Sequence, residues 1–413
     1  MILRRRAPLL AAALALVLAA AVVAVLLLRG GDEESKRPST PRADPIAFVP
    51  AERADLALDL DTRDALVVLA AQRLVPRVSS LTPLQATPLL GGPVAIATTP
   101  EGSYLAFSTD ARPPPGGRRA RGRVVVVAPR PTPLAPAPGA RRRFDARFAG
   151  LPPAEGVRAA FRPQSLLSPG VANTRWGRSL RDGAAVLTDD LRVPFLVHAD
   201  PAGIAPADLP IAPGAGAPTT HGRAPVVIGL RDPARGVALA RESGLVPELA
   251  LVDRLPGFLR PNLADLGSDG TLTMPTLAPE RMTLRAEPRN PGDWATKLGR
   301  LETLSGIAKG VVGLDVEERD GAYTLLQDGR VIVRAAVYGR VLVLSTDSGA
   351  DLRAAAAAPA TPLPPGAAGG LTLRATAAAL GPDVPALLRG GTVTGWARAE
   401  PSGVSGELRP ALR

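Results

Sequence analysis

Few residues in this chain have the chemistry that an active site requires. The only histidines are His198 and His221, and cysteine is absent. That removes disulfides, thiolate metal sites and a cysteine nucleophile, and no H-E-x-x-H motif offers a zinc site. His198 closes the apolar stretch Val193–Val197 and precedes Asp200, so a histidine–carboxylate pair is conceivable. A histidine that simply ends a strand is the commoner arrangement, and His221 falls in a Pro/Gly-rich stretch that reads as exposed. No G-x-S-x-G or S-x-x-K motif occurs. Gly403-Val404-Ser405-Gly406 is one residue short of the nucleophile-elbow spacing and falls in an expected hairpin. There is no phosphate-binding loop and no dinucleotide-binding fingerprint.

Carboxylates recur at strand spacing. Asp55, Asp59 and Asp61 share one face of an expected first strand, and Asp315 and Glu317 share a face of a later one. Paired acids can perform acid–base work or hold Ca²⁺. Acids alternating along a strand usually mark its solvated face, and Asp61 is also placed to cap a helix. The expectation is therefore no catalytic residue, no cofactor and no metal.

Arginine supplies the remaining candidates. Arg118, Arg119, Arg121 and Arg123, then Arg141, Arg142 and Arg143, flank the run Val124–Val127 inside a Pro-rich segment, 111–147. Clustered guanidinium groups suit phosphate or an anionic polymer. The competing reading is a pair of solvated loops. The net charge is +11, yet the only lysines are Lys36, Lys297 and Lys309, so a GC-rich codon bias accounts for much of the arginine.

The elements that position these residues follow from patterning. Arg4, Arg5 and Arg6 precede an uncharged apolar run from Ala7 to Leu28, roughly 22 residues, which is long enough to cross a membrane. Positive charge on the N-terminal side keeps that end in the cytoplasm. The expected organisation is a cytoplasmic tail (1–6), a transmembrane helix (7–28) and a linker (29–45). A first α+β lobe (46–200) contains the basic insert 111–147. A Pro/Gly-rich linker (201–224) and a second lobe (225–413) follow. Outside the cytoplasm the available anions are lipid headgroups and wall polymers, and nucleic acid is not an expected partner.

Within the lobes a strand–helix–hairpin unit recurs loosely. Leu56, Leu58 and Leu60 alternate with Ala57, Asp59 and Asp61 as in a half-buried strand, and a helix follows across 62–74. A hairpin is expected over Pro93–Thr98 and Tyr104–Thr109. Strand-then-helix units recur at Gly156–Ser168, Pro225–Arg241, Met282–Leu304 and Leu371–Leu380. In Val311–Thr346, Asp320-Gly321, Asp328-Gly329 and Gly339 separate apolar runs, and Asp-Gly suits a type I′ turn, so a four-stranded meander is expected, followed by a helix over Gly349–Ala358. The fold class is α+β: antiparallel sheets with helices on one face, in two lobes.

This plan resembles a bacterial family known as domain of unknown function 3352, found mainly in GC-rich Gram-positive bacteria. The resemblance is carried by the N-terminal span, Phe48-Val49-Pro50, and Leu89-Leu90-Gly91-Gly92-Pro93-Val94-Ala95-Ile96 leading into Tyr104–Asp110. Late in the chain, Asp320-Gly321-Ala322-Tyr323 and Tyr338-Gly339-Arg340-Val341-Leu342-Val343-Leu344-Ser345-Thr346-Asp347 add to it. It covers roughly residues 44–413. It implies an envelope location and no known reaction, and it brings no functional residues. The reading is a membrane-anchored, non-enzymatic binding or scaffolding module of the cell envelope. The alternatives are a carrier or sensor of a hydrophobic or anionic ligand, and a hydrolase whose carboxylates meet only in three dimensions.

Overall fold

The computed structural model describes residues 44–60, 93–110, 112–114, 116–129, 135–153, 156–188, 190–214, 216–246, 249, 257–258, 260–276, 281–364, 366–380 and 390–411. The expected membrane helix at 7–28, most of the linker after it and the helix at 62–74 lie outside these residues. No described helix is long and apolar enough to cross a membrane.

The chain enters as a short 3-10 helix, Pro45–Phe48, whose Asp44 cap accepts a hydrogen bond from the Ile46 amide. Strands β1 (Leu56–Leu60), β2 (Val94–Thr99), β3 (Gly102–Ser108), β4 (Gly117–Arg119) and β5 (Val124–Val127) follow. Then come helix α1 (Ala140–Ala146) and strand β6 (Val157–Phe161). Three short helices, α2 (Pro163–Leu166), α3 (Pro169–Ala172) and α4 (Arg175–Ser179), lead to β7 (Leu180–Leu187) and β8 (Val193–Ala199). The two-residue β9 (Thr220–His221) precedes β10 (Val226–Arg231), α5 (Pro233–Glu242), β11 (Asp269–Met274) and β12 (Thr283–Ala286). Helices α6 (Pro291–Thr303) and α7 (Ser305–Val312) introduce the meander β13 (Leu314–Arg319), β14 (Ala322–Gln327), β15 (Arg330–Tyr338) and β16 (Val341–Ser345). Helix α8 (Leu352–Ala356), β17 (Ala360–Thr361), β18 (Leu371–Thr376), β19 (Thr392–Glu400) and β20 (Gly403–Ala411) complete the described chain.

Among the described residues, eighteen strands form one antiparallel sheet. Their pairings give the order β4-β5-β3-β2-β1-β6-β7-β8-β20-β19-β18-β10-β11-β12-β16-β15-β14-β13. The order is nearly mirrored about the β8–β20 pair. On one side β6 pairs with β1, Leu56 opposite Phe161 through Leu60 opposite Val157. On the other, β18 pairs with β10, Val226 opposite Ala375 through Leu230 opposite Leu371. The Pro/Gly-rich stretch 201–224 does not separate two sheets, because β8 and β20 pair from Gly403–His198 to Leu408–Val193. This stretch is also packed: Ile204, Leu209 and Ala212 are buried, the first two against Ala397, Ala399 and Val404.

The meander forms as its turns require. Asp320, Gly321, Asp328 and Gly329 all have positive φ, between 51° and 76°. Val311 and Val312, expected at the start of the first strand, instead end α7, and the following helix is only Leu352–Ala356, capped by Asp351 on the Ala354 amide. The helices do not all lie on one face. Leu298 and Leu301 of α6 pack with Ala335 and Leu344, whereas Leu352 of α8 packs with Ala336 and Val343. Neighbouring residues of a strand point to opposite faces, so α6 and α8 sandwich β15 and β16.

Candidate functional site

Strand β1 lies between β2 and β6, and its alternation puts Ala57 and Asp59 on one face. That face is covered rather than solvated. Phe144 of α1 shares one core cluster with Ala57, Ala95, Val124, Val126 and Ala160, and Asp59 is only 6% exposed. The acid expected at a wet surface is therefore a buried carboxylate, and a buried charge needs partners.

Arginine supplies them. Arg141 of α1 donates from Nη1 to Oδ2 of Asp59 at 2.6 Å and from Nε to Oδ2 of Asp44 at 2.6 Å. Arg158, opposite Asp59 on β6, donates to the same carboxylate and to Asp145 at 2.9 Å. The Arg158 guanidinium also lies 5.5 Å from the Phe144 ring centre and 5.3 Å from that of Phe148, within cation–π range. Burial works against the charge on Arg141, but hydrogen bonds to Asp44 and Asp59 and the charges of both acids outweigh it, so the guanidinium is held above its ordinary value. Three carboxylates thus share two guanidinium groups, Arg141 bridging Asp44 and Asp59 and Arg158 bridging Asp59 and Asp145. The network fastens Asp44, β1, α1 and β6 together.

The expected arginine sites divide accordingly. Segment 111–147 is not a pair of loops around one strand. Gly117–Arg119 pairs with Val124–Val127 as a hairpin, and Ala140–Ala146 is helical. Arg141 is consumed by the buried network. Arg119 donates to the Thr109 carbonyl at 2.9 Å, and Arg123 pairs with Asp110. Arg118, Arg121 and Arg142 are exposed and carry no ion pair among the described residues. Arg118 sits opposite Val126, whose side chain belongs to the cluster under α1, so Arg118 and α1 share a face of the sheet. Arg143 pairs with Glu52.

Beside α1 the surface is hollowed into a pocket of about 280 Å³. Val49, Ala140 and Phe144 are among its apolar lining, and Glu52, Arg53, Arg143 and Arg147 are its charged groups. Arg53 and Arg147 were not among the sequence candidates. Arg147 could have been found from its spacing, four residues after Arg143 on the same helical face, but only once 140–146 is known to be a helix.

The other candidates are dispersed. His198 pairs through Nδ1 with Asp182 on β7 at 2.7 Å, while Asp200 pairs with Arg181. His221 Nδ1 lies 3.1 Å from the Ala358 carbonyl, tying β9 to the segment after α8. Asp315 pairs with Lys309 at 2.9 Å, Glu317 is exposed, and Ser405 lies within β20. Among the described residues, no group of three or more His, Cys, Asp or Glu side chains is arranged to hold a metal.

Comparison with protein families, curated proteins and solved structures yields no match to this chain.

Proposed function

We propose that this protein is a membrane-tethered, extracytoplasmic binding module that acts without catalysis and engages an anionic surface, lipid or wall polymer, through the basic end of its sheet. The tether is the apolar run 7–28, oriented by Arg4–Arg6. The observation that carries the binding reading is that Arg118 on edge strand β4 lies on the same sheet face as α1, which bears Arg142, exposed and without an ion pair among the described residues. The acids of the network at α1 favour binding over hydrolysis, since Asp44, Asp59 and Asp145 are all ion-paired to arginine.

The test is sedimentation of the chain from residue 44 with lipid vesicles. Retention on vesicles containing anionic lipid is expected to fall with added salt, since each arginine near such a surface contributes about 1 kcal/mol. Replacing Arg118, Arg121 and Arg142 by serine is expected to remove most of the retention while leaving the urea midpoint unchanged. Equal retention on neutral and anionic vesicles refutes the reading.

A further inference from the structure

The pocket beside α1 combines an apolar floor with an excess of cationic donors. Val49 and Phe144 are 4% and 2% exposed, so the floor is part of the core. Above it stand three guanidinium groups, Arg53, Arg143 and Arg147, and one carboxylate, Glu52. Arg143 and Arg147 are four residues apart on a helical turn, where like charges repel. Glu52 relieves this by accepting from Arg143 Nε. Arg147 is loosely used: its two terminal nitrogens reach the Ala51 and Glu52 carbonyls at 3.4 Å each. Arg53 is exposed and unpaired among the described residues. One carboxylate therefore stands where the charges of the rim could accommodate a dianion.

We propose that this pocket binds the phosphate group of an amphiphile, with the Glu52 carboxylate holding the anion position until the ligand displaces it. The inference rests on the membrane-tethered reading above. Displacing Glu52 costs little, because its side chain and that of Arg143 are 47% and 45% exposed, and exposed pairs are weak. A phosphate returns more, since it carries additional charge and presents oxygens to several planar donors at once. The pocket of about 280 Å³ has room for a phosphate ester and a few carbons, while its apolar floor, Val49, Ala140 and Phe144 among it, is too small to cover an acyl chain. The acyl portion therefore stays in the bilayer. The geometry of the tether agrees: Asp44, where the described fold begins, is ion-paired to Arg141 on the helix that carries Arg143. The linker from residue 29 to Asp44 reaches at most roughly 55 Å when fully extended.

The experiment uses the full-length chain in a phosphate-free detergent, dodecyl maltoside, and titrates two soluble probes by calorimetry: dihexanoyl phosphatidate and inorganic phosphate. Phosphatidate is expected to bind, and inorganic phosphate to bind more weakly. Arg147→Ala and Arg143→Ala are each expected to weaken phosphatidate binding about tenfold, the effect of losing one charge-assisted hydrogen bond. Glu52→Gln is expected to strengthen it, up to about fivefold, the limit for an exposed pair. A Glu52→Gln protein that binds no better than wild type overturns the displacement, and arginine variants that bind like wild type overturn the site. Equal affinity for the two probes overturns the amphiphile in favour of free phosphate. If vesicle retention through Arg118, Arg121 and Arg142 persists while the pocket variants bind phosphatidate like wild type, the pocket proposal falls and the surface reading survives. The converse result, no vesicle retention but phosphatidate binding that follows Glu52 and Arg147, supports the pocket and removes the surface.

Discussion

Replacing Asp59 with alanine tests whether the buried charge network holds the first strands to α1. The Asp59 side chain is 8% exposed and receives hydrogen bonds from both Arg141 and Arg158. Removing one member of a buried ion pair typically costs 3–5 kcal/mol, because the partner is left charged and unpaired. Here the penalty is smaller. Arg141 is 34% exposed and keeps Asp44, while Arg158 is 25% exposed and keeps Asp145, so neither guanidinium is stranded. The expected loss is about 2–3 kcal/mol. In urea, with a slope of roughly 3 kcal/mol/M, that moves the unfolding midpoint down by about 0.7–1 M with the slope unchanged. Arg142→Ala on the same helix is the control and should shift stability by no more than about 0.5 kcal/mol, as an exposed side chain with no ion pair among the described residues. A double-mutant cycle of Asp59→Ala with Arg141→Ala should show coupling of about 1–2 kcal/mol, since the two groups touch. An Asp59→Ala midpoint equal to wild type, or coupling near zero, would refute the reasoning, because the network would then contribute nothing to the fold.

Two further predictions concern packing and pH. A Cβ added at Gly183 would lie 2.3 Å from the Phe161 ring, so Gly183→Ala should lower stability by about 1–3 kcal/mol in the same urea assay, through overpacking. Asp200 is held below its ordinary carboxylate range first by the hydrogen bond from Arg181 and then by the Ala202 amide. A depressed folded-state value means that its contribution to stability is present above the unfolded value, about 4, and is lost as pH falls through the folded one. NMR titration of Asp200 should give a midpoint below that of an ordinary aspartate, and Arg181→Ala should raise it.

Much of the local structure was legible from residue types alone. The Asp-Gly pairs at 320–321 and 328–329 specify their turns because few residues tolerate positive φ, and the meander followed. The stripe Trp294, Leu298 and Leu301 defined the buried side of α6 for a similarly local reason, since helical period and a single apolar face suffice. Where local signals stopped, errors began. Residues 140–146 read as loop because Pro, Gly and Arg surround them and only Ala140 and Phe144 of the helix are buried.

The faces of β1 were visible in its alternation, but which face would be covered was not. Asp59 alternates with leucines as a solvated acid would, and it becomes buried only because α1, more than eighty residues later, lies across it and brings Arg141. The same limit hid the single sheet. A period-two pattern states that a segment is a strand with two faces, yet carries no information about its neighbour when the partner is distant in sequence. The β8–β20 pairing joins residues about two hundred positions apart, and the β1–β6 pairing spans about one hundred. The amino-acid sequence by itself determined turns, helix stripes and the alternation of each strand, because these depend on neighbours within a few residues. Strand order, the burial of Asp59 and the division of the arginines into paired and free groups were decided by tertiary contacts, because backbone hydrogen bonds between strands are the same for every sequence and the choice among them depends on how the whole apolar surface is buried.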